Sequence, residues 1–390
     1  MYFVSSFNLR ENMMDINLAE ELLNAGIKTF ENQDYNTAII HLTKVIKAES
    51  KNVNAFLFRG KAYSELGKYK DAIKDLSKAI NIDPEQEELY LNRGFIYQKS
   101  GNDKKALADY TASIEKNPCF ARGFMLRGLL YDSLNKQKEA IADFSRAIVL
   151  EPKNDQPLKM KGVSNYKLKK YSDSLEDLNK AMSINPMDYL SYYYRGCVHN
   201  ALSKFIKAID DFDDAIYLNK SFEDAYGMRG TLYAQLSEYK KAVSDFTSVI
   251  ELNSKNNNAF RSRGELHCIL KEYRRGVADY TKAIQLDPEN VELYNNRGIA
   301  YSELKKYSAA IDDYTKAIQL DPKNVGAYLI RGLAFRDLKK YSAAIADCTM
   351  AIKLVPELAI AYKARGDVYK AQGKTKEAKA DFAKAKSLEK

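Results

Sequence analysis

Gly26, Gly60, Gly94, Gly128, Gly162, Gly196, Gly230, Gly264, Gly298, Gly332 and Gly366 stand 34 residues apart, with no insertion or deletion along the series. A period of that length, kept through eleven registers, is the mark of stacked supersecondary units. The chain is too long for one ordinary core, and no linker composition divides its 390 residues into separate domains. Its core must therefore grow by repetition.

Other rows share the phase. Twelve residues after each glycine comes a small residue: Ala38, Ala72, Ala106 and their equivalents, with Ser174 and Gly276 as the exceptions. Seven residues later a second small row includes Ala79, Ala147, Ala181, Ala215 and Ala283. Pro84, Pro118, Pro152, Pro186, Pro288, Pro322 and Pro356 close seven of the units.

Within one period, Val291 to Leu304 and Tyr307 to Leu320 both carry apolar residues at three- and four-residue steps. Each unit is expected to be two antiparallel helices of about 14 residues, joined by a short turn rich in lysine or small polar residues. Proline lacks the helix-interior donor and clashes with the preceding turn, so it ends one unit before the next begins. A mid-helix glycine costs about 1 kcal/mol relative to alanine, so only packing retains eleven of them. Gly60, Gly94, Gly128, Gly196, Gly230, Gly264, Gly298 and Gly332 are read as sites of close helix approach. A bulky side chain in the small rows would overpack the same contact by about 1–3 kcal/mol.

This pattern resembles the tetratricopeptide repeat, whose signature of aromatic, Gly, Tyr, Ala, aromatic, Ala and Pro is met by Tyr294, Gly298, Tyr301, Ala310, Tyr314, Ala317 and Pro322. The family's tryptophan is replaced by Leu, Phe or Tyr; the chain has no Trp but 28 Tyr, as a recurring structural place for Tyr would explain. The resemblance implies an all-α fold: a right-handed α–α superhelix, or solenoid, of eleven helix-turn-helix repeats over 19–390. The repeats begin near 19, 53, 87, 121, 155, 189, 223, 257, 291, 325 and 359, after an extension over 1–18 that caps the first repeat or mediates self-association.

Arginine precedes the glycine in nine repeats, and the same nine carry Asp sixteen residues further on, as in Arg229 and Asp245. Repeat one has Ala25 and His41 and loses both charges; repeat five keeps the signs with Lys161 and Asp177. Joint presence and joint loss predict an ion pair within a unit or between adjoining units, because a partly buried charge needs a partner. Two solvated rows inherited by duplication are the alternative.

The resemblance also implies a concave wall built mainly from the first helix of each repeat. Three residues before and one or four after the glycine, the rows vary where the packing rows barely do. From repeat two to repeat six they supply Leu57, Leu91, Phe95, Met125, Leu129, Val163, Tyr166, Tyr193 and Cys197. These are expected to form an apolar and aromatic strip for a partner protein, with burial between neighbouring helices as the alternative. Repeats seven to nine read as more polar, with Thr231, Arg261, Glu265 and Asn295.

Two specialised sites of the family do not carry over. The chaperone-type carboxylate clamp is broken because Lys159 is followed by Val163 and Tyr194, and Lys363 by Asp367. An asparagine ladder two before the glycine is interrupted: Asn24, Asn92 and Asn296 alternate with Phe58, Leu126, Tyr194 and Ile330. The expected function is thus a non-catalytic scaffold that holds an extended or helical segment of another protein.

No catalytic, cofactor or metal site is expected. His41, His199 and His267 fall in separate repeats, and the repeat glycines lie inside helices, where they offer no free amides for a phosphate. Cys119, Cys197, Cys268 and Cys348 have neither metal spacing nor disulfide density, which fits a reducing, cytoplasmic setting. No apolar run is long enough to span a membrane, and the opening MYFVSSFNLRENMMD lacks the form of a secretory signal. A net charge of +9 and lysine pairs at the turns, such as Lys305 and Lys306, keep nucleic acid or an acidic surface as the lesser reading. A purely structural, self-assembling solenoid, associating through its terminal repeats, is a third.

Overall fold

A computed structural model describes residues 18–389, and all regular structure in that span is helical. The expectations for the leading residues lie outside the described part. By internal contact the chain falls into two units, 1–202 and 203–390.

The first unit opens with helix α1 over 18–31, followed by α2 (Tyr35–Ala48). Three further repeats pair α3 (Val53–Glu65) with α4 (Tyr69–Ile82), α5 (Glu87–Lys99) with α6 (Asp103–Lys116), and α7 (Ala121–Ser133) with α8 (Gln137–Leu150). Then come α9 (Asp155–Lys167), α10 (Tyr171–Ile184) and α11 (Tyr189–Ala201). The second unit begins with α12 (Phe205–Leu218) and pairs α13 (Glu223–Gln235) with α14 (Tyr239–Leu252), and α15 (Asn257–Ile269) with α16 (Tyr273–Leu286). Its remaining pairs are α17 (Val291–Glu303) with α18 (Tyr307–Leu320), α19 (Val325–Asp337) with α20 (Tyr341–Leu354), and α21 (Ala359–Ala371) with α22 (Thr375–Leu388). These 22 helices among the described residues are paired helix-turn-helix units, the fold of an α-solenoid.

Two kinds of turn alternate. Inside a repeat the first helix ends in a Schellman motif: Lys306 N–H donates to the Tyr301 carbonyl at 2.9 Å while Lys305 takes φ 58°, the left-handed conformation. Gly67, Gly101 and Gly373 occupy this place at ease, whereas Lys169, Lys271, Lys305 and Lys339 adopt it despite a Cβ. Between repeats, Asp321 before Pro322 is extended, and Asn324 then caps the next helix by accepting from Ala327 N–H at 2.9 Å. Asn52 and Asn256 do the same for α3 and α15.

The core is a chain of clusters, each shared by neighbouring helices. Phe56 and Leu57 of α3 pack with Leu76 and Ile80 of α4 and with Leu89 and Ile96 of α5. The repeat glycines serve these clusters in a particular way. A Cβ on Gly128 would meet the Phe144 ring at 2.7 Å, and one on Gly94 the Tyr110 ring at 2.9 Å. The space is kept for one large side chain of the second helix, more than for backbone against backbone.

Candidate functional site

The residue before the glycine is the node at which repeats join. Arg297 donates through Nε and Nη2 to both oxygens of Asp313 at 2.8 and 2.6 Å, and through Nη1 to Thr281 of the preceding repeat at 3.0 Å. Its guanidinium lies over the Tyr294 and Tyr301 rings at 5.8 and 6.0 Å. Arg59, Arg93, Arg127, Arg263, Arg331 and Arg365 repeat this arrangement with Asp75, Asp109, Asp143, Asp279, Asp347 and Asp381. The hydroxyl of the preceding repeat comes from Thr43, Ser77, Thr111, Thr247, Thr315 and Thr349 in turn. Arg229 binds Asp245 at 2.9 and 2.6 Å but meets Asp213 in place of the hydroxyl, at 2.5 Å. Burial works against the Arg229 charge, and the bonds to the two carboxylates more than offset it, holding the group above its ordinary range. The Asp245 side chain is only 6% exposed, so this is a buried, bidentate pair.

The rings at 294 and 301 have counterparts in most repeats, which accounts for much of the tyrosine. The hydroxyl row sixteen residues before the arginine recurs in the sequence at a fixed offset, as the Arg and Asp rows do. Repeat one lacks the arginine, and there His41 has a buried Nδ1 without a partner among the described residues.

The predicted apolar strip does not survive as a continuous surface. Leu57 (3% exposed), Leu91 (1%), Val163 (7%) and Cys197 (6%) are buried. Leu57 belongs to the cluster around Leu76 and Leu89, and Leu91 packs with Tyr110 and Leu130, so these side chains join one repeat to the next. Met125, Leu129, Tyr166 and Tyr193 are half-buried, and Phe95 is exposed at 40%.

Around Phe95 the first unit has a cleft of about 250 Å³ lined only by first helices: Phe30 of α1, Ser64 of α3, Leu91 and Phe95 of α5, and Arg122 and Leu126 of α7. In the second unit a cleft of about 400 Å³ lies between α17 and α19, with Ile299, Leu333 and Arg336 on its walls and Tyr314 from α18. Repeats eight and nine present polar groups instead. Arg261 donates to Glu292 at 3.2 Å, while its Nε and the Asn295 Oδ1 are buried without partners among the described residues. Burial pushes the Glu265 carboxyl above its usual range, an effect partly offset by Arg261. Some charges on the first helices are matched across repeats, as in Lys61 with Glu88 and Lys99 with Glu65, both at 3.2 Å.

Buried His267 bonds Glu272 through Nδ1 at 2.7 Å. Among the described residues no three His, Cys, Asp or Glu side chains gather as a metal site, and no helix is long and apolar enough to cross a membrane.

Paired helices, a 34-residue register and an arginine staple at most of the joints define a helical repeat solenoid. Models of the tetratricopeptide repeat match 87–118, 121–154, 223–256 and 359–390, and again 291–324, and a further TPR repeat model matches 60–101 and 264–305. The chain belongs to the tetratricopeptide repeat family, whose domains generally mediate protein–protein interactions. No curated protein matches it by sequence. Among solved structures it is similar to a tetratricopeptide repeat protein from Parabacteroides merdae, at 21% identity and a TM-score of 0.51 over 64% of this chain and 98% of that one. The C-terminal part of a repeat protein from Cytophaga hutchinsonii gives 18% identity and 0.51 over 62% and 98%. YrrB, described as a TPR protein with an unusual peptide-binding site, gives 21% and 0.44 over 47% and 95%. The first two likenesses bear on the fold alone.

Proposed function

We propose that this chain is a non-catalytic scaffold that holds a segment of another protein on the face made by the first helices of its repeats. The observation that carries this is the cleft around Phe95, whose lining comes entirely from the first helices of four consecutive repeats. Phe95 keeps an aromatic surface in water at a place where the neighbouring rows are buried, and exposed aromatic anchors beside a pocket are what binding surfaces use. The strip is shorter than the sequence suggests: Phe95 with the half-buried Met125, Leu129, Tyr166 and Tyr193 remain candidates, while Leu57, Leu91, Val163 and Cys197 support the framework.

The test is capture from lysate by the immobilised chain, run beside Phe95→Glu and Ile299→Glu variants that circular dichroism shows to be helical. Both residues are exposed, so charge there leaves the core alone. A protein retained by the parent and lost from one variant places the partner on that cleft. Capture unchanged by both variants removes this face from consideration. Nucleic acid that vanishes at moderate salt would move the function to the exposed turn lysines.

A further inference from the structure

We infer that the cleft of the first unit is selective for a segment of another protein in which a large apolar side chain lies beside an aspartate or glutamate. This rests on the scaffold reading and specifies its ligand. Three features of the cleft converge on it.

The first is shape. Phe30, Phe95 and Leu126 make apolar walls around about 250 Å³, room for one aromatic or large aliphatic side chain. Lys99 lies over the Phe95 ring at 4.9 Å and leaves the rest of the ring in water.

The second is an orphaned hydroxyl. Ser64 lines the cleft, the residue is 5% exposed, and its Oγ has no partner among the described residues. The same register in other repeats is satisfied by a tyrosine twelve residues on: Tyr110 donates to Gln98 at 2.8 Å, and Tyr314 meets Ser302 at 3.2 Å. In repeat two that place is held by Leu76, which offers no polar atom. A buried hydroxyl left without a hydrogen bond is costly, and a main-chain group of a bound segment would supply one.

The third is charge. Lys61 pairs with Glu88 and Glu65 with Lys99, so those lining charges are already neutralised. Arg122 is exposed at the rim and pairs with no carboxylate among the described residues. The cleft therefore presents one unmatched positive charge beside an apolar hole and an unused hydrogen-bonding group.

The probe is a phage-displayed library of random dodecapeptides, panned on the full chain and on Arg122→Glu, Ser64→Ala and Phe95→Glu variants. The expected consensus is Phe, Tyr, Trp, Leu or Met within two residues of Asp or Glu. A synthetic consensus peptide should lose at least about fivefold in affinity on Arg122→Glu, and panning that variant should turn the acidic position basic. Ser64→Ala should weaken the peptide by about three- to tenfold without lowering the melting temperature, which a purely structural serine would not do. A consensus without an acid, or affinity unmoved by Arg122→Glu, overturns the inference. Peptides indifferent to all three variants but lost on Ile299→Glu also overturn it, while leaving the scaffold reading standing. If no peptide is enriched, this inference fails, and the capture experiment decides the scaffold reading separately.

Discussion

The joint before repeat nine and the joint before repeat five solve one packing problem in two ways. At the first, Arg297 spans both second helices, bonded to Asp313 in its own repeat and to Thr281 in the one before, between two tyrosine rings. At the second, Lys161 reaches only Asp177, at 2.9 Å, and the other carboxylate oxygen accepts from Asn165 at 2.9 Å. The preceding hydroxyl, Ser145, donates to the Ile141 carbonyl of its own helix, as Thr281 does to Val277, but accepts no bond from Lys161. Repeat five also has Leu158 and Asn165 where Tyr294 and Tyr301 flank the arginine, so a guanidinium there would have no rings to lie between. Its ties to the neighbours run along the first helices instead: Ser164 and Lys167 both donate to Asp132, and Lys159 donates to Asp188. Coupling between repeats is thus a set of interchangeable bonds, and what is fixed is that the buried aspartate has its oxygens satisfied.

The comparison would break most visibly at the arginine. Arg297→Met should cost about 3–5 kcal/mol, because it leaves the Asp313 carboxylate buried without its cation. Lys161→Met should cost less, about 1–3 kcal/mol, since Asn165 still donates to Asp177. Stacked repeats need not unfold in one step, so the measurement is amide exchange in α18 and α10 together with the denaturant midpoint. Equal losses would mean that the third bond and the rings add nothing to a simple ion pair. Bonds to Asp313 hold the Arg297 group above its ordinary value despite burial, so its cation persists across the working pH range.

A smaller effect sharpens the same contrast. Lys161→Arg alone should change stability by less than about 0.5 kcal/mol, because the flanking rings are missing and Asp177 already has both oxygens bonded. Combined with Asn165→Tyr, which supplies one ring, the arginine should gain about 0.5–1 kcal/mol beyond the sum of the single changes. A double-mutant cycle reads that coupling directly. A coupling of zero would show that the aromatic flanks are neighbours of the arginine without acting on it.

How far all this could be read in the sequence follows from what each feature depends on. The glycine and alanine rows, the helix pairs and the pairing of Arg with Asp recur at fixed offsets, so one register establishes them for the rest. Helix limits agree to a residue: Val291 to Leu304 was expected, and α17 is Val291–Glu303. The exposed strip was poorly legible because exposure depends on what the next repeat places opposite. Leu91 and Phe95 lie one helical turn apart and both line the cleft, yet Tyr110 and Leu130 pack over the first and leave it 1% exposed, while the second stays 40% exposed. The orphaned Ser64 was hidden for a similar reason, since it becomes visible only when Leu76 is compared with the tyrosines at its register.

An effect as small as that coupling is expected at the turns, where the two solutions differ by one Cβ. Gly67 and Gly101 take positive φ freely, whereas Lys305 and Lys339 hold φ near 60° against the steric penalty of a side chain in the left-handed region. Lys305→Gly should therefore stabilise its repeat by about 0.5–1 kcal/mol, the folded-state relief exceeding the entropy that glycine adds to the unfolded chain. Gly101→Lys should lose a similar amount. Both are read as shifts in denaturant midpoint, with Lys305→Ala as the control that removes charge but keeps the Cβ. If Lys305→Ala stabilises as much as Lys305→Gly, repulsion among the turn lysines outweighs backbone strain, and the lysine edge becomes a charged surface held at some cost to the fold.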